Sequence, residues 1–283
     1  MHLLKIGETL WNLESKKKYK IIEVLGQGGF GRAYRASVVH NGHKLSKDVC
    51  LKATADQASW HHESYFGELL TKNKRVLQYF ESFVLSPSNQ NPLLYCVVLE
   101  LAQHGDLLGY LKRTQKSWKP ERVRRESIAL LKMLDQLHQG NATHRDITPS
   151  NLFICDNFTL KLGDFGIACH NLSNSPRILN AVNSGFAPTQ LLKQSHPIWK
   201  TEDDIYQVGQ ILAMLLCGNA EEKITLSLLD DIDCDNNLRA IIKKAIGPRA
   251  RRYRNASKML KDLQKHSRKA FLSLRLSFTR QIA

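Results

Sequence analysis

Three side chains in the middle of the chain form a set that could transfer a phosphoryl group. Asp146 and Asn151 lie in the stretch THRDITPSN at residues 143–151, and Asp164 follows in LGDFG. Transfer from ATP requires one carboxylate to orient the attacking hydroxyl and further oxygen ligands to hold magnesium on the phosphates. Asp146 suits the first role, and Asn151 and Asp164 suit the second.

A lysine nearer the N-terminus could bind the phosphates. Lys52 ends the apolar run VCLK, where a charged amine is costly unless a carboxylate or a phosphate pairs with it. Residues 58–72 contain no proline and suit a helix, and we expect Glu63 on this helix to be the partner. Glu68 is the alternative, because one sequence does not fix the helix register. Taken alone, Lys52 would be read as a solvated strand end.

The stretch GQGGFG at residues 26–31 has the pattern GxGxxG. Glycine lets the backbone approach a phosphate closely and adopt positive φ. A dinucleotide-binding turn shares this pattern but requires a helix directly after it. Residues 33–39 read as a strand, so we expect a β-hairpin over phosphates.

The elements that position these residues fall into two parts. The N-terminal third is rich in β-branched, aromatic and apolar runs separated by turns, which is typical of a small sheet. Its predicted strands are residues 19–25, 32–39, 48–54, 76–85 and 93–101. Helical spacing dominates afterwards. Predicted helices begin at Pro120 and cover 202–216 and 256–265, with short strands at 152–155 and 159–162.

The charge is concentrated at the C-terminal end. The chain carries 41 Lys and Arg against 26 Asp and Glu, a net charge of +15. Residues 239–283 hold fourteen of the basic residues and one acid, so this end carries +13 and the rest +2. We therefore expect no specific nucleic-acid binding. The basic end is either a solvated helix or a segment that docks to an acidic partner, a membrane surface or, without sequence specificity, nucleic acid.

Composition and cysteine usage indicate a globular protein of the cytoplasm. With 42% hydrophobic residues, the 283-residue chain can bury a core. Its six cysteines form no CxxC pair, which predicts reduced thiols and neither a zinc site nor a disulfide framework. The longest apolar run, residues 211–217, is too short to cross a bilayer, and we expect a soluble chain without a signal peptide.

Taken together and in this order, the motifs resemble those of the eukaryotic-like (Hanks-type) Ser/Thr protein kinases. GQGGFG is similar to the glycine-rich loop, VCLK to the VAIK strand and HRDITPSN to the HRD catalytic loop, while DFG is unaltered. The resemblance runs over residues 19–265. It implies an N-terminal extension (1–18), a kinase domain (19–265) with an N-lobe (19–101) and a C-lobe (105–265), and a basic tail (266–283).

The resemblance implies an α+β, two-lobed fold with a small antiparallel sheet and one helix in the N-lobe, a mainly helical C-lobe, and ATP in the cleft beneath the glycine loop. Asp146 would be the catalytic base, Lys52 and Asp164 would handle the nucleotide, and Asn151 and Asp164 would hold Mg²⁺. Leu99 would be the gatekeeper, residues 100–102 the hinge, and Asp106 a ligand of the ribose. The implied nucleotide-binding set is Leu25, Gly26, Gly28, Phe30, Gly31, Ala33, Cys50, Lys52, Glu63, Leu99, Glu100, Leu101 and Asp106.

Two further motifs extend the resemblance. Asp204 opens DIYQVG, which is similar to the start of the large buried helix whose aspartate braces the catalytic loop. Arg252 matches the late arginine that usually pairs with the glutamate of APE. Here GFAPTQ offers Thr189 or Gln190, so we expect a neutral hydrogen bond instead of an ion pair.

Two substitutions lie beside the chemistry. Thr148 replaces the usual lysine near the transferred group, which should weaken transition-state stabilisation and leaves the preference between Ser/Thr and Tyr open. Cys50 replaces the alanine that packs on adenine, a small change.

The function implied is transfer of the γ-phosphoryl group of ATP to Ser/Thr hydroxyls of protein substrates, with autophosphorylation. The available activation-segment hydroxyls are Ser173, Ser175, Ser184 and Thr189. A short span at 218–237 resembles compact bacterial members. The alternatives are a pseudokinase scaffold and a small-molecule phosphotransferase, although the latter usually has HGD in place of HRD. Residues 272–279 alternate as in a strand but also suit a helix face, so the tail either packs on its own lobe or touches a membrane or partner.

Overall fold

The computed structural model describes residues 4–28, 31–85, 93–170, 185–194 and 198–265. The chain divides into two compact units. Unit 1 comprises Met1–His104 with Cys155–Ala168, and unit 2 comprises Gly105–Ile154 with Cys169–Ala283. Unit 1 holds the large sheet and one helix, and unit 2 is mainly helical. The predicted α+β, two-lobed fold class is confirmed.

Unit 1 is built on an antiparallel sheet with the strand order β1-β2-β3-β5-β7-β6, and β4 pairs with β3 beside this path. The alternating apolar residues of these strands form one buried cluster that includes Tyr19, Tyr34 and Leu51. The strands are β1 Thr9–Asn12, β2 Lys17–Gly28, β3 Gly31–His40, β4 His43–Lys44, β5 Val49–Thr54, β6 Tyr79–Leu85 and β7 Leu94–Glu100.

Two details of the sheet differ from the prediction. β1 lies within the stretch expected to be an N-terminal extension, and its alternate residues Leu10 and Asn12 are buried. The strand predicted from residue 76 begins only at Tyr79. Val76 instead forms a single bridge with Leu162, and the backbone of Leu77 donates to the Leu162 carbonyl at 3.0 Å.

Side chains link β6 to β1 and β2. The Glu81 carboxylate accepts hydrogen bonds from Asn12 Nδ2 at 2.9 Å, Ser15 Oγ at 2.8 Å and Tyr19 Oη at 2.6 Å, and it forms an ion pair with Lys17 at 2.6 Å. Because each donor comes from the first two strands or the turn between them, one carboxylate fixes the first hairpin against β6.

The helix of unit 1, α1 (Gln57–Leu70), carries the predicted partner of Lys52. Asp56 caps its N-terminus by accepting from the backbone N–H groups of Ala58 and Ser59. Gly67 is needed because a Cβ there would lie 3.0 Å from the Tyr79 ring. The helix therefore lies close to β6, with Glu63 on its buried face.

Among the described residues, unit 2 contains the predicted long helices and three helices that were not predicted. The helices are α2 Leu107–Thr114, α3 Pro120–Gln139, α4 Thr189–Leu192, α5 Thr201–Cys217, α6 Asn236–Ile246 and α7, residues 256–265. The unpredicted helices are α2, α4 and α6, of which α2 and α6 each begin after an aspartate cap, Asp106 or Asp235. The short strands are β8 Ala142–Thr143, β9 Leu152–Cys155 and β11 Cys169–His170, of which β8 pairs with β11, whereas β10 Thr159–Leu162 belongs to unit 1.

None of the helices in the described part of the chain combines the length and the apolar composition that crossing a bilayer requires.

Gly209 allows α5 and α6 to pack closely. A Cβ at this position would lie 2.8 Å from Ala245 Cβ and 2.8 Å from Ile246 Cγ2. Contacts of this length require one of the helices to shift, so the glycine sets the distance between them.

We expect Gly209→Ala to lower the free energy of unfolding by about 1–3 kcal/mol, because overpacking strains a close contact. Gly109→Ala is the matched control. It lies within α2, where the nearest atom is the flexible end of Arg113 at 3.3 Å, so alanine should be neutral or should stabilise by up to about 1 kcal/mol. Urea denaturation measures both. Equal stability changes would contradict this account of the α5–α6 contact.

Candidate active site

In unit 1 a largely buried ammonium group is shared between two carboxylates. Lys52 lies within β5, and its Nζ is 2.7 Å from Glu63 Oε2 on α1 and 2.8 Å from Asp164 Oδ1. The predicted pair of Lys52 with Glu63 is confirmed. The alternative partner, Glu68, is wrong, because it lies on the exposed side of the helix.

The charges in this cluster do not balance. Burial opposes the charge on Lys52, but Asp164 and Glu63 outweigh it and raise the lysine pKa. Burial also raises the pKa of Glu63 from 4.5 to about 7, because Lys52 only partly offsets it and Asp164 adds repulsion. Two carboxylates against one ammonium leave a negative charge, and an oxygen donor set with excess negative charge fits a hard cation such as Mg²⁺.

The turn that carries Asp164 is held against α1. Asp164 has a positive φ of 57°, and its Oδ1 accepts from the backbone N–H of Gly166 at 3.3 Å. A Cβ on Gly166 would lie 2.5 Å from Ser59 Oγ, so only glycine fits. The Phe165 ring stacks on Phe66 of α1 with 6.1 Å between centroids. The three residues DFG are thus all in contact with α1 or with one another.

The glycine-rich stretch forms the predicted hairpin. β2 pairs directly with β3, with Gly28 opposite Gly31, and no helix follows. The dinucleotide-binding interpretation is therefore wrong. Gly31 has φ +155°, and a Cβ there would lie 2.4 Å from the carbonyl oxygen of Ala53. Phe30 lies outside the described residues.

The remaining predicted nucleotide contacts of unit 1 lie along the same strands. The ladder register places Ala33 beside Lys52 and Cys50 beside Leu99, which is buried. Glu100 forms an ion pair with Lys161 at 2.7 Å, and Leu101 follows directly. Leu25 and Gly26 lie in β2. These positions fit the expected roles, which stay predictions.

Asp106, predicted to contact the ribose, belongs to unit 2 and has a structural task there. Its Oδ1 accepts from the backbone N–H of Gly109 at 2.8 Å and so caps α2. The ribose contact stays a prediction.

In unit 2 Asp146 and Asn151 are in direct contact. Asn151 Nδ2 donates to Asp146 Oδ2 at 2.7 Å and to the Asp146 carbonyl at 3.0 Å. Because the amide nitrogen faces Asp146, the side-chain oxygen of Asn151 is the atom that would hold a metal ion. A 3₁₀ turn, Pro149–Asn151, places the two side chains together.

The loop that bears Asp146 is braced by α5, as predicted. The Asp204 carboxylate accepts the backbone N–H groups of His144 at 2.9 Å and Arg145 at 3.0 Å. It also receives Trp199 Nε1 at 2.8 Å and lies 3.1 Å from His138 Nε2. Burial opposes ionisation of Asp204, but these donors outweigh it and lower its pKa.

A second brace was not predicted. Gln207, one turn along α5 from Asp204, accepts the backbone N–H of Ile147 at 2.9 Å and donates to the Arg145 carbonyl at 3.2 Å. Arg145 has a positive φ of 73°. Strained backbone of this kind persists only where surrounding contacts determine it, and Asp204 and Gln207 supply those contacts.

Arg252 keeps both a neutral and a charged partner. It donates to Gln190 Oε1 at 3.4 Å, which confirms the expected neutral hydrogen bond. It also pairs with Asp203 Oδ1 at 3.3 Å, and Arg249 pairs with Asp203 Oδ2 at 2.6 Å. Burial raises the pKa of Asp203 to about 6 despite these arginines. The pairing of Asp203 with these arginines was not predicted. In the sequence TEDD it looks like one of the acidic residues that are common in the first turn of a helix.

The structure describes two of the remaining predicted positions, Thr148 and Thr189. Thr148 is buried, and its backbone N–H donates to the Asp146 carbonyl at 3.0 Å. Thr189 is exposed at the start of α4. Ser173, Ser175, Ser184 and the tail at 266–283 lie outside the described residues.

Comparison with known proteins agrees with this geometry. The family model described as "Protein kinase domain" matches residues 19–282, most of the chain. The chain belongs to the protein kinase domain family. This match covers every residue of the two clusters around Lys52 and Asp146.

Individual kinases are similar over most of the domain. Serine/threonine-protein kinase TIO of Arabidopsis thaliana is 30% identical over 204 residues, which is 71% of this chain and 15% of that protein. The human phosphorylase b kinase gamma catalytic chain, liver/testis isoform, is 27% identical over 73% of this chain and 52% of its own length. The interferon-induced, double-stranded RNA-activated protein kinase of Rattus norvegicus is 26% identical over 87% and 52%. The kinase domain thus spans about half or less of these relatives.

We expect Glu63→Gln to change how stability depends on pH. Glu63 binds its proton more tightly in the folded chain, so between about pH 4.5 and pH 7 its contribution to the free energy of unfolding falls as pH rises. The variant lacks this titration. The stability of the wild type relative to Glu63→Gln should therefore decrease across that window in urea denaturation at several pH values.

Glu68→Gln is the control, because Glu68 lies on the exposed side of the same helix. Its stability relative to the wild type should stay constant over the same window. If the stability difference between the wild type and Glu63→Gln also stayed constant across this window, the shared ammonium would fully compensate both carboxylates.

Proposed function

We propose that this kinase domain transfers the γ-phosphoryl group of ATP to Ser/Thr hydroxyls of protein substrates and to hydroxyls of its own chain. The proposal rests mainly on the position of Lys52, whose Nζ lies 2.7 Å from the Glu63 carboxylate and 2.8 Å from the Asp164 carboxylate. A kinase needs its lysine paired with the helix glutamate and its metal-binding aspartate in place. A domain that had lost catalysis would be free to lose these groups.

Each unit supplies one part of the chemistry. In unit 1 the Lys52 ammonium pairs with phosphate oxygens, and the backbone of the glycine hairpin leaves room for them. In unit 2 Asp146 accepts the proton of the acceptor hydroxyl and orients its oxygen toward the γ-phosphorus. Asp164 and Asn151 are the residues that would hold Mg²⁺, which supplies charge neutralisation on the phosphates.

The acceptor preference rests on the relatives. TIO is named a serine/threonine-protein kinase, and we assign the same acceptor type to this domain. Thr148 brings no cation to the transferred group, so we expect a lower rate of transfer than a lysine at this position would give.

The setting of the reaction is also part of the proposal. Free cysteines at all six positions are compatible with a reducing cytoplasm. The positive charge of residues 239–283 supports docking to an acidic partner or a membrane surface outside the catalytic clusters.

We expect Asp146→Asn to lower phosphoryl transfer by about 10²–10⁴-fold, because the hydroxyl loses its general base. Purified protein, Mg²⁺, γ-labelled ATP and a generic acceptor protein provide the assay, and ATP binding by calorimetry should persist in the variant. Asp156→Asn, in an exposed turn, is the control and should match the wild type.

Two outcomes would overturn the proposal. A wild-type chain that binds ATP without transferring phosphate would be a pseudokinase scaffold. Transfer that is equal in the wild type and Asp146→Asn would come from another enzyme in the preparation.

A further inference from the structure

Helix α1 contacts the turn at Asp164 at a point that the proposed function does not use. The His62 side chain reaches the carbonyl oxygen of Gly166, with Nδ1 3.3 Å from that oxygen. A carbonyl oxygen only accepts hydrogen bonds, so Nδ1 carries the proton. His62 directly precedes Glu63, the partner of Lys52.

This hydrogen bond closes a ring of polar contacts. Glu63 holds Lys52, Lys52 holds Asp164, and Asp164 Oδ1 accepts from the Gly166 backbone N–H at 3.3 Å. The carbonyl of the same Gly166 then receives His62. Two adjacent residues of α1 therefore reach Asp164 by two routes, one through the lysine and one through the glycine.

Gly166 is held on both of its peptide planes. Its N–H belongs to the peptide that precedes it and points to Asp164, whereas its carbonyl belongs to the peptide that follows and faces His62. The absent side chain lets it lie against Ser59, whose Oγ would be 2.5 Å from a Cβ. Rotation of either peptide plane would break one of these hydrogen bonds.

We propose that His62 is a positioning residue that fixes the Gly166 peptide and thereby the orientation of the Asp164 carboxylate. The proposal rests on the proposed function for its catalytic consequence, because Asp164 is the residue expected to hold Mg²⁺. His62 touches neither the nucleotide nor the acceptor in this scheme. It ties the position of α1 to that of the metal-binding carboxylate.

The neighbouring histidine provides a matched control. His61 lies on the exposed side of α1, next to the Trp60 ring. His61→Ala and His62→Ala make the same change one residue apart in the same helix. His62→Asn is the conservative variant, because an asparagine Nδ2 occupies about the position of the histidine Nδ1 and can donate the same hydrogen bond.

The first readout is independent of activity. Hydrogen exchange of the backbone amides at 164–168, without nucleotide, should accelerate about 2- to 10-fold in His62→Ala, the range expected for the loss of one net hydrogen bond. His61→Ala should exchange as the wild type does, and His62→Asn should restore slow exchange. Unchanged exchange in His62→Ala would overturn the proposal even if the chain proved to be no enzyme.

The second readout is kinetic. In His62→Ala the Mg²⁺ concentration for half-maximal phosphoryl transfer should rise about 2- to 10-fold, with little change in the KM for the acceptor protein. His62→Asn should return it toward the wild-type value. A fall in rate with no change in magnesium dependence, or no rescue by asparagine, would show that His62 serves only the packing of the helix.

The two proposals fail in different ways. If the wild type transfers no phosphate, the proposed function fails while the exchange measurement still decides the role of His62. If Asp146→Asn abolishes transfer but His62→Ala matches His61→Ala in both readouts, the proposed function stands and the role of His62 is refuted.

Discussion

One largely buried ammonium group determines the arrangement of the site in unit 1. Lys52 is 14% exposed, and its carboxylate partners Glu63 and Asp164 come from a helix and from a turn far along the chain. Burying these charges costs free energy unless they are paired, and the loss of one partner leaves an uncompensated charge inside the protein. The strand, the helix and the DFG turn are therefore held to one geometry by a requirement for charge neutralisation. The surplus carboxylate leaves the cluster negative, which would favour the binding of a cation.

In unit 2 the arrangement of the site depends on hydrogen bonds to backbone groups. The loop that carries Asp146 runs through the interior without regular secondary structure, so its backbone N–H groups need partners. α5 supplies them through Asp204 and Gln207, which accept the N–H groups of residues 144, 145 and 147. The loop thereby gains a fixed conformation with one strained residue, Arg145, and presents Asp146 in contact with Asn151. Because Gly209 lets α5 pack closely against α6, α5 is a rigid support for this loop.

The sequence predicted the elements around the candidate site well because the residue types there are chemically restricted. Carboxylates, an amide and an amine in a fixed order point to phosphate and metal chemistry, and the apolar runs around them placed β3, β5 and α5 close to their observed limits. The choice of Glu63 over Glu68 followed the expected pairing, although the helix register was open until the structure placed one of them inside.

What could not be predicted depends on contacts between distant residues. β1 is short, and its role appears only when Glu81 joins it to β6. Helices α2 and α6 are brief, and each is marked by a single aspartate cap. Asp203 pairs with two arginines that lie 46 and 49 residues further along the chain. The contact between His62 and Gly166 spans 104 residues, and no local pattern indicates it. Periodicity and motif spacing report neighbours along the chain, whereas these groups meet only after folding.

The role of Lys52 is tested most directly by a calorimetric titration of ATP into the wild type and Lys52→Met, with and without magnesium. We expect magnesium-dependent binding to the wild type, weakened by about tenfold or more in Lys52→Met through the loss of a charged hydrogen bond, with the far-UV circular dichroism spectrum unchanged. Equal affinity in the two proteins, or a wild type that binds no ATP in the presence of magnesium, would contradict this expectation.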